Sequence, residues 1–314
     1  MANIRPYLKK VWQSNFNGAC STDVLAFSPD NIDGKFLYFL IAQDRFVNYV
    51  MCGAKGSKMP RGDKNHILEY ETGVPTGSEQ RKIAHFIDLL NARISSQNSL
   101  INLIKKYKRG SLSALFPKKG EITPQYRFAG FTKPWEQHKL GEVGSVSMCR
   151  RIFKEQTSES GDIPFYKIGT FGGEADAFIS KELFEEYKAK YPYPKKGDIL
   201  ISASGSIGRT VEFTGGNEYF QDSNIVWLNH NEHLDNSFLK CFYSVVKWAG
   251  IEGSTIKRLY NNNILNTVIT LPSVAEQQKI GQYFSTLDRL ITLHQHKYDI
   301  LLSLKNALLQ QLFI

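Results

Sequence analysis

Two glycine-containing stretches of the sequence combine small polar side chains with basic ones, a combination that can bind phosphate. Glycine lets the backbone approach an anion closely, and neighbouring hydroxyl and cationic groups can bind its oxygens. The first stretch is residues 202–209, and the second is residues 253–258, which we expect to form a turn just before a strand. The candidate contact residues are Ser202, Ser204, Gly205, Ser206, Gly208, Arg209, Lys257 and Arg258. A tight turn between strands would explain the Gly-Ser-Ile-Gly segment equally well, and both interpretations stay open.

Other side chains could read the edges of nucleic-acid bases. Direct readout requires arginine, lysine, asparagine or glutamine at a groove, and Lys167, Gln221 and Asn224 meet that requirement. The sequence does not indicate which of these three residues contacts a base. A basic run at residues 105–109 could also face phosphates, but such a run more often forms a solvated helix face.

Catalytic and metal-binding motifs are missing from the sequence. It contains no G-x-x-x-x-G-K-[ST], no H-E-x-x-H and no Asn-Pro-Pro-aromatic run. None of the cysteines forms a C-x-x-C pair, and His294 and His296 lie two residues apart, so on a helix they do not face each other. We therefore predict a protein that is not an enzyme, binds no cofactor or metal, and has ordinary buried or half-buried thiols.

Composition favours a globular protein with a polyanionic partner. The chain has 314 residues, of which 42% are hydrophobic, and a formal net charge of +9. Lysine and arginine gain free energy by releasing counterions from nucleic-acid phosphates, although many basic proteins bind nothing acidic. No apolar run is long enough to cross a membrane and the first residues do not resemble a secretory signal, so we expect a cytoplasmic protein.

The sequence contains an internal repeat with an offset of 197 residues. The stretch Pro75–Ile83 returns as Pro272–Ile280, and the same offset holds upstream and downstream without a gap. The repeat gives the first copy its own basic candidates, which are Lys55, Lys58 and Arg61. Arg61 and Arg258 share a repeat position, which indicates a shared role in binding DNA or in holding a carboxylate at the foot of a helix.

Each copy ends in a long amphipathic helix with a seam of alternating three- and four-residue spacing. The seam residues that we expect to face a partner helix are Leu90, Ile94, Gln97 and Ile104, with Leu287, Ile291, His294 and Leu301. Polar residues interrupt both seams at equivalent places, Gln97 with His294 and Lys108 with Lys305. Such interruptions can specify register, so we predict that the helices pair antiparallel. The alternative is that each helix packs on its own globular domain.

The predicted fold class is α+β, with mixed domains separated by two long helices packed as an antiparallel coiled coil. Strand-like segments such as Ile199–Ser202 alternate with helix-like ones near 181–190 and 237–249. The expected segments are the C-terminal remnant of a first domain (1–75), a first long helix (76–117), a linker (118–134), a second domain (135–272) and a second long helix (273–314).

Several motifs together resemble the specificity subunits of type I restriction-modification enzymes. Residues 127–142 resemble the start of a target-recognition domain in that family, and Lys196–Gly208 resembles its central motif. The Pro-x-x-x-Glu-Gln-x-Lys-Ile start of each long helix resembles its spacer. The resemblance covers nearly the whole chain.

The resemblance implies a DNA-binding subunit that depends on partners for chemistry. Such a subunit would dock methyltransferase (M) subunits, and through them restriction (R) subunits, onto a split site in double-stranded DNA. Each recognition domain would read one half-site, and the paired helices would set the distance between them. No membrane role is implied.

The sequence departs from the family pattern at its beginning. Met1–Tyr7 lines up near Ser204–Thr210, so about eighty residues of the first recognition domain have no counterpart in this sequence. An incomplete domain exposes an apolar edge that favours self-association or a complementing fragment. One alternative is therefore a non-productive scaffold that binds the M subunit without specific methylation.

Overall fold

A computed structural model describes residues 1–118, 120–248 and 257–313 of the chain. The helices are α1 (Gly34–Ile41), α2 (Asp44–Cys52), α3 (Lys64–Leu68), α4 (Gly77–Leu115), α5 (Leu140–Val143), α6 (Lys181–Lys190), α7 (Asn236–Val245), α8 (Asn261–Leu265) and α9 (Val274–Leu312). The strands are β1 (Glu136–Lys139), β2 (Gly144–Ser147), β3 (Ile163–Tyr166), β4 (Phe178–Ile179), β5 (Ile199–Ser202), β6 (Thr210–Glu212), β7 (Tyr219–Phe220), β8 (Ile225–His230) and β9 (Val268–Leu271).

The chain divides into two compact units. Unit 1 comprises residues 1–103 together with the chain from 291 onward, and unit 2 comprises residues 104–290. Each unit therefore contains one part of α4 and one part of α9. The predicted mixed α+β class with two long helices is confirmed, and α4 and α9 lie close to the segments 76–117 and 273–314 expected for them.

Unit 1 is mainly helical in the residues described. Apolar side chains of α1 pack against the first turns of α4 and against the end of α9, where the rings of Phe36 and Phe313 lie 5.0 Å apart. A second cluster joins α2 and α3, through residues such as Val50 and Ile67, to Met1.

Unit 2 is built on a sheet with the strand order β2-β8-β5-β6. Its central strands β5 and β8 are buried on both faces, because side chains alternate along a strand between two apolar clusters. Ile199 and Ile201 contribute to the cluster that also contains α7 and the first part of α9, whereas Leu200 contributes to the cluster around β3 and β7. The smaller β4-β3-β7 sheet and the β1-β9 pair complete the strands of the described part of this unit.

The long helices pair antiparallel, as the seam predicted. In unit 1, Gln97 Nε2 donates to His294 Nδ1 at 2.8 Å and to the His294 carbonyl oxygen at 2.9 Å. In unit 2, Ser111 Oγ lies 3.1 Å from Tyr283 Oη, so residue numbers fall along α9 as they rise along α4. Every seam position in the described helices is buried or half-buried.

The second pair of polar interruptions does not meet. Lys108 Nζ instead binds Asp288 Oδ1 at 2.5 Å, because antiparallel pairing places Lys108 near the beginning of α9 and not near Lys305. The alternative interpretation also holds in part, since the beginnings of α4 and α9 pack on apolar clusters of their own units.

Two local expectations in unit 2 require correction. Residues 257 and 258 were expected just before a strand, but the next element is α8, and β9 begins only at Val268. The helix expected over 237–249 ends at Val245, and Ala249 lies outside the described residues. Gly253, Ser254 and Thr255 of the predicted turn lie outside them as well.

The polar contact in the seam leads to a test of stability. Gln97 is 5% exposed, and replacing it with alanine leaves the His294 acceptors without their donor, so we expect Gln97→Ala to lower the free energy of unfolding by about 1–3 kcal/mol. Urea denaturation followed by circular dichroism measures the change. Asn98→Ala, at the exposed neighbouring position, is the matched control and should change stability by less than about 0.5 kcal/mol. Equal effects of the two substitutions would contradict a specific seam contact.

Candidate nucleic-acid interface

The turn between β5 and β6 owes its shape to a buried serine and two glycines. Ser202 is fully buried, and its hydroxyl donates to the Ser206 carbonyl and accepts from the Arg209 amide at 2.9 Å. Gly205 and Gly208 have φ of +65° and +82°, in the left-handed region that favours glycine. A Cβ at Gly208 would also lie 2.9 Å from Nε1 of Trp248. The turn interpretation of this segment is thus confirmed.

Ser204 joins this turn to two other segments of the chain. Its hydroxyl, in a residue that is 4% exposed, donates to Asn224 Oδ1 at 2.7 Å. Its backbone forms a β-bridge with Arg258, and the Gly205 amide donates to the Lys257 carbonyl at 3.1 Å. Asn224, Lys257 and Arg258 therefore lie beside the turn, although they are distant from it in sequence.

Arg209 connects the turn to a fourth segment. Its guanidinium donates to the Ile168 carbonyl at 2.8 Å and lies 5.3 Å from the centroid of the Phe171 ring. The neighbouring Lys167 is half-buried and forms an ion pair with Asp176 at 2.8 Å. The structure thus brings together all of the candidates named in the second copy, from four separate parts of the sequence.

The candidates differ in their access to solvent. Gly205, Ser206, Arg209, Lys257 and Arg258 are exposed. The hydroxyls of Ser202 and Ser204 are buried and already hydrogen-bonded, so the expectation that these side chains contact DNA directly does not fit the structure. They shape the turn that presents the exposed residues.

Unit 1 contains an equivalent turn at its first residues. Ile4 forms a β-bridge with Arg61, as Ser204 does with Arg258. The Arg5 amide donates to the Pro60 carbonyl, as the Gly205 amide does to Lys257, and Arg5 adopts a left-handed φ of +52°. Ile4 therefore corresponds to Ser204, three residues earlier than the sequence alignment placed it.

The basic candidates of unit 1 lie in a turn closed by reciprocal backbone hydrogen bonds between Lys55 and Arg61, both 2.9 Å. Lys58 is exposed in this turn. Lys55 binds Asp63 at 2.9 Å, and this hydrogen bond, with those from backbone amides of α3, lowers the pKa of the Asp63 carboxyl. Arg61 binds Asp23 at 2.7 Å, so it does hold a carboxylate, although one that precedes α1 and not one at the foot of a helix.

A buried ion pair that the sequence did not predict lies at the beginning of α9. Arg127 binds Glu276 with two hydrogen bonds, of 2.9 Å from Nε and 2.6 Å from Nη2, and Glu276 is only 1% exposed. The hydrogen bond to this carboxylate raises the pKa of Arg127. The glutamate was visible as part of the repeated Glu-Gln motif, but its partner lies 149 positions away in sequence.

The glutamine of that motif has the same structural role in both copies. Gln277 accepts a hydrogen bond from the Asp235 amide and donates to the Pro272 carbonyl, at 2.9 and 3.0 Å. Gln80 makes the equivalent contacts with Asp33 and Pro75, both at 2.8 Å. Each glutamine joins the start of a long helix to the residue that caps the N-terminus of α7 or α1. The repeat of Gln80 and Gln277 was a signal for this role.

Within the described ranges, no group of three or more histidine, cysteine, aspartate or glutamate side chains is placed to hold a metal ion. No helix in those ranges combines the length and apolar character needed to cross a membrane. Cys149 and Cys241 are buried, which raises the pKa of both thiols to about 12, but Cys20 and Cys52 are exposed, contrary to the expectation for all four.

The two copies of the Glu-Gln motif provide a matched test of the buried ion pair. Glu276→Gln leaves the Arg127 guanidinium without its carboxylate, so we expect it to lower the free energy of unfolding by about 3–5 kcal/mol. Glu79→Gln, at the same repeat position but exposed, should change it by less than about 0.5 kcal/mol. Thermal and urea denaturation of the full chain measure both, and a Glu276→Gln variant as stable as the parent would contradict the assigned role.

The comparisons with known proteins agree with this architecture. Residues 132–302 match the family described as "Type I restriction modification DNA specificity domain". A putative type I restriction enzyme specificity subunit of Haemophilus influenzae is 42% identical over 265 residues, covering 84% of this chain and 66% of that protein. A type I restriction enzyme specificity subunit of Methanocaldococcus jannaschii is 23% identical, covering 90% of this chain and 69% of that protein. The chain thus spans about two thirds of the length of these relatives.

Solved structures show the same fold. A chain from work on complex assembly and conformational transition of the type I R-M system matches 99% of this chain and 80% of its own length, with a TM-score of 0.63 and 20% identity. The type I restriction-modification S subunit from M. genitalium matches 90% of this chain and 73% of its own length, with a TM-score of 0.58 and 18% identity. Because the family match covers more than half of the residues, the chain belongs to the type I restriction modification DNA specificity family.

Proposed function

We propose that this chain is the non-catalytic DNA-recognition subunit of a type I restriction-modification complex. The observation that carries the proposal is the meeting of Arg209, Lys257 and Arg258 at one exposed turn, inside the region that matches the DNA specificity family. Recognition domains bind DNA through phosphate contacts that position the protein and base contacts that specify sequence. The function places the chain in the cytoplasm, with the DNA of the cell.

The turn suits phosphate contact for electrostatic and steric reasons. Its exposed cations can release counterions from the duplex. The bare backbone at Gly205 can approach a phosphate because, apart from its chain neighbours, no atom of the described residues lies within 4 Å of where its Cβ would be. Arg258 forms no ion pair among the described residues, whereas Lys167 is held by Asp176. Arg258, Lys257 and Arg209 are therefore the proposed phosphate contacts, and Asn224 is a candidate for base readout.

The repeat supports recognition of a bipartite site. Unit 1 presents Lys55, Lys58 and Arg61 in a turn of its own, and Arg61 forms a β-bridge with Ile4 as Arg258 does with Ser204. We propose that each unit contributes contacts to one half-site. Arg61 is bound to Asp23 in the absence of DNA, so its contact with phosphate would compete with that ion pair.

A second apolar stripe on the long helices supports assembly with helical partners. Positions one residue before seven of the seam positions of α4 and α9 carry large apolar side chains that are exposed in unit 1: Phe86, Leu89, Leu100, Leu103, Leu293, Ile300 and Leu304. In an antiparallel pair these positions of both helices lie on the same side. In unit 2 the equivalent Tyr107 and Tyr283 hydroxyls indeed meet at 3.0 Å. We propose that M subunits dock on this stripe and bring R subunits with them.

Co-expression tests the whole proposal. The chain is expressed with the M subunit of its own locus, the complex is isolated, and cellular DNA is sequenced for modified adenines. A defined split motif is the expected result, because two turns of similar structure would each contact one half-site. A stable complex that modifies no defined motif would contradict active recognition and favour the non-productive scaffold.

Single substitutions in that complex test the proposed interface. Arg258→Ala should weaken DNA binding about equally across sequences and reduce the slope of log affinity against log salt by about 1, because one phosphate contact is lost. Lys190→Ala, an exposed cation on α6 that pairs with Glu186, is the control and should leave both quantities unchanged. Fluorescence anisotropy with a duplex carrying the motif measures them. If the two variants bind alike, the interface lies elsewhere.

A further inference from the structure

Three segments of unit 2 leave or enter the main sheet at the same end. Ser147, the last residue of β2, pairs with Trp227 near the start of β8, and Ser202, the last residue of β5, pairs with Ile225. The strand order places β8 between β2 and β5, and β8 is antiparallel to both. The turn before β8, residues 221–224, which we call the β8 turn, therefore lies between the segments that follow β2 and β5.

The segment that follows β2 carries two exposed arginines, Arg150 and Arg151. Neither has a carboxylate partner among the described residues. The guanidinium carbon of Arg150 lies 5.2 Å from the centroid of the Tyr191 ring, and that of Arg151 lies 5.5 Å from the centroid of the Phe153 ring. The Arg150 carbonyl also accepts a hydrogen bond from Tyr219 Oη at 3.1 Å. A guanidinium that rests on a ring keeps its N–H donors available for phosphate.

The segment that follows β5 is the glycine turn, so exposed cations flank the β8 turn on both sides. Arg209 belongs to the glycine turn, and Lys257 and Arg258 lie beside it. β2 and β5 are two strand spacings apart, which is about 10 Å. The major groove of B-DNA is about 12 Å wide. The two sets of cations can therefore contact the phosphates that border one groove, with the β8 turn facing the base edges between them.

The β8 turn has no cation of its own and is held at both ends. Gln221 Oε1 accepts a hydrogen bond from the Ile168 amide at 2.9 Å, and Asn224 Oδ1 accepts one from the Ser204 hydroxyl at 2.7 Å. Between them Ser223 is exposed and adopts a left-handed φ of +53°. This conformation costs a residue other than glycine free energy, and such residues cluster at ligand sites.

Asp222 is the charged residue of the β8 turn. It is half-buried, and its carboxylate forms no hydrogen bond or ion pair within the described part of the chain. Phosphates repel a carboxylate, so this group opposes DNA binding unless it accepts a hydrogen bond from a base. Aspartate and glutamate can accept such a bond from cytosine N4 in the major groove.

We propose that the β8 turn enters the major groove of the half-site bound by unit 2, and that Asp222 is a specificity-determining residue that accepts a hydrogen bond from a base amino group such as cytosine N4. Arg150 and Arg151 bind phosphates on one side of the groove, and the cations at the glycine turn bind those on the other. The inference rests on the proposed DNA-recognition function and separates the residue that reads a base from those that position the protein.

The negative charge of Asp222 gives this role a distinctive signature. If the carboxylate only lay near the DNA, its removal would strengthen binding to every sequence by the same factor. If it accepts a hydrogen bond from a base, its removal strengthens binding to unrelated sequences and weakens the preference for one base pair of the recognised site.

The test uses the full chain in complex with the M subunit of its own locus. Sequencing of modified adenines gives the motif of the parent complex, and fluorescence anisotropy then measures affinity for a duplex with that motif, for its single base-pair variants and for an unrelated duplex. We expect Asp222→Ala to abolish a preference of about 5- to 100-fold at one position of the motif. Affinity for the unrelated duplex should rise. The substitution breaks no hydrogen bond among the described residues, so the fold should be kept.

Two further variants make the result specific. Glu232→Ala removes the same charge from an exposed residue that follows the other end of β8, and it should bind every duplex like the parent. Arg151→Ala should weaken binding to all duplexes and reduce the slope of log affinity against log salt by about 1. The motif should stay unchanged in Arg151→Ala, because a phosphate contact carries no sequence information.

Three outcomes would overturn the proposal. An Asp222→Ala complex that keeps the parent's preference at every position would leave the recognition function in place and remove Asp222 from it. Equal effects of Asp222→Ala and Glu232→Ala would show that only net charge matters. A parent complex that modifies no defined motif would end the proposed function and this inference together.

Discussion

The pairing of α4 with α9 along one seam is the constraint on which the rest of this protein depends. A helix of 39 residues is about 60 Å long and has too little apolar surface of its own to be stable in water, so it must bury a stripe against a partner. Each helix meets this requirement with the other, in antiparallel orientation. A buried polar contact such as Gln97–His294 stabilises a seam less than apolar packing would, but it can specify the register of the two helices.

The two copies of the internal repeat share some contacts of the Glu-Gln motif and differ in others. Gln80 and Gln277 make matching hydrogen bonds to the capping aspartate and to the preceding proline, because both copies supply these partners. The glutamate beside it differs between the copies, because Glu276 is bound by the distant Arg127 whereas Glu79 has no ion-pair partner among the described residues. The same sequence motif thus contributes differently to stability in the two copies, because the residues packed around it differ.

The polar residues of the candidate interface have two different roles, depending on whether they are buried or exposed. Buried hydroxyls such as those of Ser202 and Ser204 satisfy backbone and side-chain groups of the turn, and burial makes each of those hydrogen bonds costly to lose. The cations beside them, Arg209, Lys257 and Arg258, are exposed. A turn fixed by buried hydrogen bonds thus presents the exposed cations that we propose as phosphate contacts.

The sequence alone determined the features that follow from periodicity and repetition. It defined the long helices, their seam with Gln97 and His294, the mixed α+β class and the glycine turn at residues 205–208, because each depends on neighbours a few residues apart or on an offset that can be counted. It did not determine that Ser204, Asn224, Arg209 and Arg258 meet, that Lys108 binds Asp288 or that Arg127 binds Glu276. Those contacts join residues separated by many positions, and only the packing of strands and helices around a common core decides which distant side chains become neighbours.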